Sequence, residues 1–193
     1  LTSRTYPHGT EEELFPILFN TVNGLEKDEF GNLFIKIGDS DVMFTSHLDT
    51  ATSAKTPINH VFDGDIIKTD GKSILGADDK AGVTVLLWMI QNNVPGLYYF
   101  FIGEERGGIG SNALSSIYDK VDYLTDVKMC VSFDRRRTTS VITHQLGRQC
   151  CSNEFGQALC DEYNKNGLNL SLDTTGVYTD SASLMEDISE CTN

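Results

Sequence analysis

Two adjacent carboxylates sit between a glycine turn and an apolar segment in Leu75-Gly76-Ala77-Asp78-Asp79-Lys80-Ala81-Gly82, with residues 83–90 following. A strand-to-helix loop presents an acid in this way. The theme recurs, because His47-Leu48-Asp49, Glu104-Glu105 and Asp134 each follow an apolar, strand-like run. In open α/β sheets, sites collect at the carboxyl ends of the strands. Four acidic loops in chain order therefore predict one sheet edge on which they converge.

The rest of the pattern agrees. Residues 42–46 form a compact buried strand. Residues 97–102 are a continuous apolar run with aromatics, as expected of a strand buried on both faces. Residues 80–91 have helical length and good helix formers. Thr10-Glu11-Glu12-Glu13 has the form of a capping box opening a helix to about Asn20, with Pro16 inside it. Residues 28–37 read as two short strands around Phe30-Gly31-Asn32, and Asp63-Gly64-Asp65 as a turn before a strand at 66–69. A short helix is expected at 111–118, strands at 127–133 and 140–143, and a helix at 153–164 capped by Ser152. Residues 173–180 read as a loop or short strand. This alternation predicts an α/β fold, a mixed, mostly parallel central sheet with helices on both faces. With 193 residues and no repeat or linker, the chain is expected to form one domain over 1–193.

Charge and cysteine content narrow the function. A net charge of −13 argues against nucleic acid and anionic membrane surfaces, whose phosphates it would repel. No apolar run approaches the ~20 residues that span a bilayer. Residues 1–10 are polar and lack the apolar segment of a secretory signal. The five cysteines are odd in number and form no C-x-x-C pair. They read as small buried hydrophobes in a reducing compartment, which points to the cytoplasm.

The acids define a chemistry. In His47-x-Asp49 on extended backbone both side chains point the same way, so one can bind a metal while the other orients it. Asp78-Asp79 offers a short-stemmed bridging carboxylate for a two-metal site, or a helix N-cap. Consecutive side chains diverge at Glu104-Glu105, so one can ligate while the other remains a general base, its pKa raised by burial and by its neighbour. Asp134 is a fourth ligand candidate, and Arg135 and Arg136 beside it are candidates for a substrate carboxylate. His144, at the end of a strand-like run, is a further candidate substrate contact. The set His47, Asp78, Glu105 and Asp134 is oxygen-rich with one imidazole, which suits zinc, with cobalt or manganese able to substitute. No G-x-S-x-G and no phosphate-binding loop is present.

Ser46-His47-Leu48-Asp49-Thr50, Thr69-Asp70-Gly71 leading to Leu75-Gly76-Ala77-Asp78-Asp79-Lys80-Ala81-Gly82, and Gly103-Glu104-Glu105 together resemble the signatures of peptidase T-type zinc exopeptidases. This group includes dizinc aminopeptidases, dipeptidases and carboxypeptidases. The resemblance covers about residues 47–134, with a softer echo at Tyr178-Thr179-Asp180-Ser181 that makes Asp180 a candidate substrate contact. It implies that His47, Asp78 and Asp134 bind one zinc ion. Asp78, as the bridge, and Glu105 would bind a second. Asp49 would support His47, Glu104 would act as general base, and the Asp78–Asp79 peptide bond would be cis. The family also has a final metal-binding His near its C-terminus. No His follows His144 here, so the sequence is expected to stop short of that ligand and leave the second site incomplete. It has no room for a lid or dimerisation insert between Asp134 and Asp180, which favours a monomer. The resemblance implies an exopeptidase acting on short peptides, most readily an aminopeptidase. A carboxypeptidase or N-acyl amino acid amidase of the same fold is the alternative, and an inactive binding or scaffold domain is the alternative from another class.

Overall fold

The computed structural model describes residues 1–193 and bears out the alternation of strands and helices. After a 3-10 turn at Glu11–Glu13, the chain runs α1 (Phe15–Thr21), β1 (Glu26–Lys27), β2 (Leu33–Ile37) and β3 (Val42–His47). A hairpin, β4 (His60–Asp63) and β5 (Ile66–Thr69), leads to α2 (Ala77–Gln91), β6 (Gly96–Phe101) and α3 (Ile109–Ser115). Then come β7 (Met129–Ser132), β8 (Ser140–Ile142), β9 (His144–Gln145), β10 (Arg148–Gln149) and α4 (Asn153–Lys165). The chain closes with β11 (Ser171–Asp173), α5 (Asp180–Ser183) and β12 (Glu190–Thr192).

The main sheet has the strand order β1-β2-β6-β3-β7-β12. Strands β6, β3, β7 and β12 are parallel, while β1 and β2 form an antiparallel flank. Every residue of β6 is buried, which explains why its sequence is an unbroken apolar run rather than an alternation. Leu97, Tyr99 and Phe101 enter one core with Met43, Leu114 of α3 and Cys130. Tyr98 and Phe100 enter the other with Leu33, Ile35 and the α2 residues Val83, Leu86 and Ile90. Full burial of side chains this size stabilises by about 1.5–3 kcal/mol each. Helices α2 and α3 thus lie on opposite faces. The loops leaving β3 and β6 diverge to reach them, and a crevice opens at the shared carboxyl edge.

Local details separate pattern from outcome. Thr10 does not cap a helix; its hydroxyl donates to the Pro7 carbonyl at 2.7 Å. Regular helix starts only at Phe15, so Pro16 falls in the first turn, where a missing N–H leaves no bond unmade. Ser152 caps α4 as expected, accepting from the Phe155 amide at 3.1 Å. The β4–β5 hairpin stands away from the core, with Phe62 73% and Ile66 63% exposed. No helix is long and apolar enough to cross a membrane.

Candidate metal centre at the sheet edge

Strand β3 delivers His47 to the crevice almost fully buried. Its Nδ1 lies 3.1 Å from Asp49 Oδ1, and its Nε2 lies 3.2 Å from Asp78 Oδ1. A proton on Nδ1 donated to Asp49 leaves the Nε2 lone pair toward the crevice. Asp49 is itself anchored, for its two oxygens accept from the backbone amides of Glu104 at 3.0 Å and Glu105 at 3.1 Å. Burial alone would raise its pKa, but the bonds from His47 and the two amides hold the carboxyl below its usual value. One carboxylate therefore ties the end of β3 to the loop after β6. That loop turns out through Gly103, whose φ of +65° is a left-handed conformation, and a Cβ there would meet His8 Nδ1 at 2.8 Å.

The Asp78–Asp79 peptide bond is cis, and the two side chains part company. Asp78 faces the crevice. Asp79 is buried, where its Oδ2 accepts from Ser46 Oγ at 2.6 Å and the His47 amide at 3.2 Å, and its Oδ1 from the Gly82 amide at 3.1 Å. Asp78 and Asp79 have non-helical torsions, so Asp79 acts as the N-cap of the regular helix that follows. Gly82 is required by space, because a Cβ would lie 2.2 Å from the Phe133 carbonyl and 2.5 Å from Asp79 Oδ1. The next residue, Lys80, is also buried; its ammonium donates to the main-chain carbonyls of Leu48 at 2.6 Å and Asp49 at 3.2 Å. Burial pulls its pKa down to about 8.

Asp134 follows β7. One of its oxygens lies 3.9 Å from His47 Nε2, and the other accepts from Thr179 Oγ1 at 2.7 Å. Glu104 Oε2 lies 4.0 Å from the same nitrogen. Burial pushes Glu104 and Asp134 each up to about 7, while for Asp79 burial and the Asp134 charge push it to about 8. Asp78 moves the other way, held low by its bond to His47. For His47, burial lowers the pKa, but Asp49 and Asp78, with the charges of Asp134 and Asp79, raise it well above 6.5.

Two sets of side chains bring ligand atoms close enough to hold a metal ion: His47 with Asp78 and Asp134, and His47 with Glu104 and Glu105. The first is the set expected for one ion. Glu105 groups with His47 and Glu104 rather than with Asp78. The donor chemistry fits a cation. Carboxylates crowd one imidazole, and the 3.2 Å between His47 Nε2 and Asp78 Oδ1 matches the edge, about 3.3 Å, between ligands on a tetrahedral zinc ion.

A cleft of about 280 Å³ opens over these groups, lined by Asp78, Glu104, Glu105 and Asp134, with Arg135, Arg136, Gln145 and Tyr178 around it. Arg135 is committed to Asp173 at 2.9 Å. Arg136 is exposed, and no acid pairs with it. His144 does not line the cleft; its Nδ1 meets Thr143 Oγ1 at 3.0 Å, and its neighbour Gln145 takes the lining position. Asp180 lies beneath the cleft surface, 1% exposed, with no hydrogen-bond partner for either oxygen, and burial raises its pKa well above the usual range. Sequence reasoning missed the scaffold roles of Lys80 and Thr179, which carry no periodic signal. It also missed His8, which shares a hollow with Asp49 and Glu105.

No protein-family model matches the chain. It is 41% identical over 80 residues to YqjE, an uncharacterised protein of Bacillus subtilis (strain 168), a match covering 38% of this chain and 21% of that one. Its structure is similar to that of a tripeptidase from Staphylococcus aureus, with a TM-score of 0.57 and 26% identity over 75% of this chain and 43% of that one. It is also similar to an aminopeptidase from the archaeon Desulfurococcus kamchatkensis, with a TM-score of 0.66 and 15% identity over 100% of this chain and 83% of that one. The chain thus spans less than half the length of the curated relative and of the tripeptidase. With its His-x-Asp, Asp-Asp-Lys and Glu-Glu motifs set in order along the carboxyl edge of this sheet, the chain is peptidase T-like in fold and in motif.

Proposed function

We propose that the chain is the catalytic part of a metal-dependent exopeptidase that trims short peptides, acting as an aminopeptidase in a cytoplasmic setting. The observation that carries this reading is the convergence of Asp49, Asp78, Glu104 and Asp134 on one buried imidazole, His47. His47, Asp78 and Asp134 would hold one zinc ion. Glu105, which groups with His47 and Glu104, would contribute to a second. A bound zinc ion supplies Lewis acidity, polarising a carbonyl and acidifying water.

The protein's own groups do the rest. Glu104, half-buried and shifted toward neutrality, takes a proton from the attacking water and returns it to the leaving amine. Asp49 fixes the tautomer and tilt of His47. Thr179 fixes the rotamer of Asp134. Arg136, unpaired at the cleft, holds the carboxylate of a short substrate. All five cysteines are buried and free, in keeping with a reducing compartment.

Elemental analysis after zinc loading and dialysis tests the reading. About two ions per chain supports the dizinc form, and about one supports the His47, Asp78 and Asp134 site alone. None overturns the assignment and favours an inactive binding domain. Assays with N-acetylated and C-amidated peptides then separate aminopeptidase from carboxypeptidase or deacylase action.

A further inference from the structure

Lys80 is a cation placed where a chain rarely leaves one. It is 3% exposed and donates to two main-chain carbonyls, those of Leu48 and Asp49, rather than to a carboxylate. Its third N–H side faces the ring of Tyr6, with Nζ 5.8 Å from the ring centroid. Tyr6 is fastened to the same segment, since its amide donates to Thr50 Oγ1 at 3.2 Å and its carbonyl accepts from the Thr50 amide at 2.9 Å. Desolvating an ammonium is costly, and two neutral carbonyls repay less than a carboxylate would. A core stabilised for its own sake would carry an apolar side chain of the same length here.

The location explains the choice. The two carbonyls lie on either side of the Asp49 Cα, and the Asp49 carboxylate binds His47 and the amides of Glu104 and Glu105. Lys80 itself sits at the start of the regular part of α2, two residues after Asp78. The ammonium therefore ties the start of α2 to the loop after β3, and the Asp49 carboxylate carries that tie on to the loop after β6. The acids of those loops also repel one another, and Lys80 is the buried positive charge among Asp49, Asp79 and Glu11.

From this geometry we infer that Lys80 is a positioning residue for the candidate metal centre. It acts through Leu48 and Asp49 to hold His47 in register with Glu104 and Glu105. The inference rests on the exopeptidase reading and extends it to a residue that touches neither metal nor substrate.

The test compares zinc affinity, the visible spectrum of the cobalt-loaded protein and steady-state kinetics for the wild type and Lys80→Met, which keeps length and loses charge. Leu114→Ala, in the core on the opposite face, serves as a control for lost stability. Lys80→Met is expected to bind zinc about 10–100-fold more weakly, as for other groups that orient metal ligands. Its cobalt bands should shift, and kcat should fall with KM nearly unchanged. Should Lys80→Met fail to fold, Lys80→Gln, which retains a donor, is read instead and should show the same changes in smaller measure. Unchanged zinc affinity and cobalt bands in the folded variant would overturn the inference, as would equal losses in Leu114→Ala. Absence of zinc binding by the wild type sinks the exopeptidase reading instead, so the two failures are distinct.

Discussion

The two acidic pairs of this protein are alike in sequence and opposite in construction. In Asp78-Asp79 one side chain is given to the crevice, 73% exposed, while the other is buried among Ser46, the His47 amide and the Gly82 amide. In Glu104-Glu105 both side chains line the cleft, and the loop is held by its backbone amides, which donate to Asp49. The first loop is anchored by a side chain and the second by its main chain. What an acid in such a pair is free to do depends on which of these has been used for anchoring.

The largest expected effect falls on the pair held by its backbone. Glu104→Gln leaves both amide bonds in place, so zinc content should stay at the wild-type level. Loss of the proton acceptor should lower kcat by about 10²–10⁴-fold. Retained turnover in a kinetic assay would remove Glu104 from the general-base role. Next, Asp79→Ala strands two buried amides and leaves the Ser46 hydroxyl only the Asp79 main-chain carbonyl at 3.2 Å, and should destabilise the metal-free protein by about 2–4 kcal/mol. Asp78→Ala should move stability by no more than about 0.5 kcal/mol while weakening zinc binding. Equal melting temperatures for the two variants would erase the contrast between them.

A smaller effect concerns pH. Glu104 and Asp134 titrate near 7 in the folded chain, against 4.5 and 3.8 for unperturbed groups. Between those values the native state binds more protons than the unfolded one, so stability is greatest at low pH and is lost as pH rises toward 7. The raised pKa of His47 acts in the same direction above 6.5. The melting temperature of the metal-free protein should therefore fall from about pH 4 to pH 7, and zinc should reverse the fall. A flat profile would mean that the acids are not crowded. The smallest effect belongs to Arg136→Ala, for which KM should rise about tenfold, roughly one exposed charge-assisted bond, at nearly constant kcat. C-amidated peptides should show no change, and an equal rise for them would dissociate Arg136 from carboxylate binding.

The sequence made some of this legible and hid the rest for physical reasons. Strand β6 was readable because burial on both faces demands an unbroken apolar run, and α2 because length and composition agree. His47, Glu104 and Asp134 could be picked out because each closes or follows an apolar strand, and Asp78 because it stands between a glycine turn and the start of a helix. Strand β12 could not be found, since three residues, Glu190–Thr192, add to an edge with no periodicity of their own. The capping box at Thr10 was misleading because the Thr10 hydroxyl donates back to the Pro7 carbonyl and Glu13, the acid of the box, pairs with Arg4 and Lys55 instead. His144 and Gln145 show the limit most plainly. Alternation puts one of two neighbours into the cleft, and only the strand register decides which.

The β4–β5 hairpin, between His47 and Asp78 in the chain, has one further consequence. Its ten residues, 60–69, lie outside both cores, and its base is tied by Thr2 to His60 and by Asn59 to Asp70. Length and composition at its tip are uncoupled from the spacing of the ligands on either side. The hairpin is therefore a socket, where a fluorophore or an added module can be grafted beside the candidate metal centre without being woven into it.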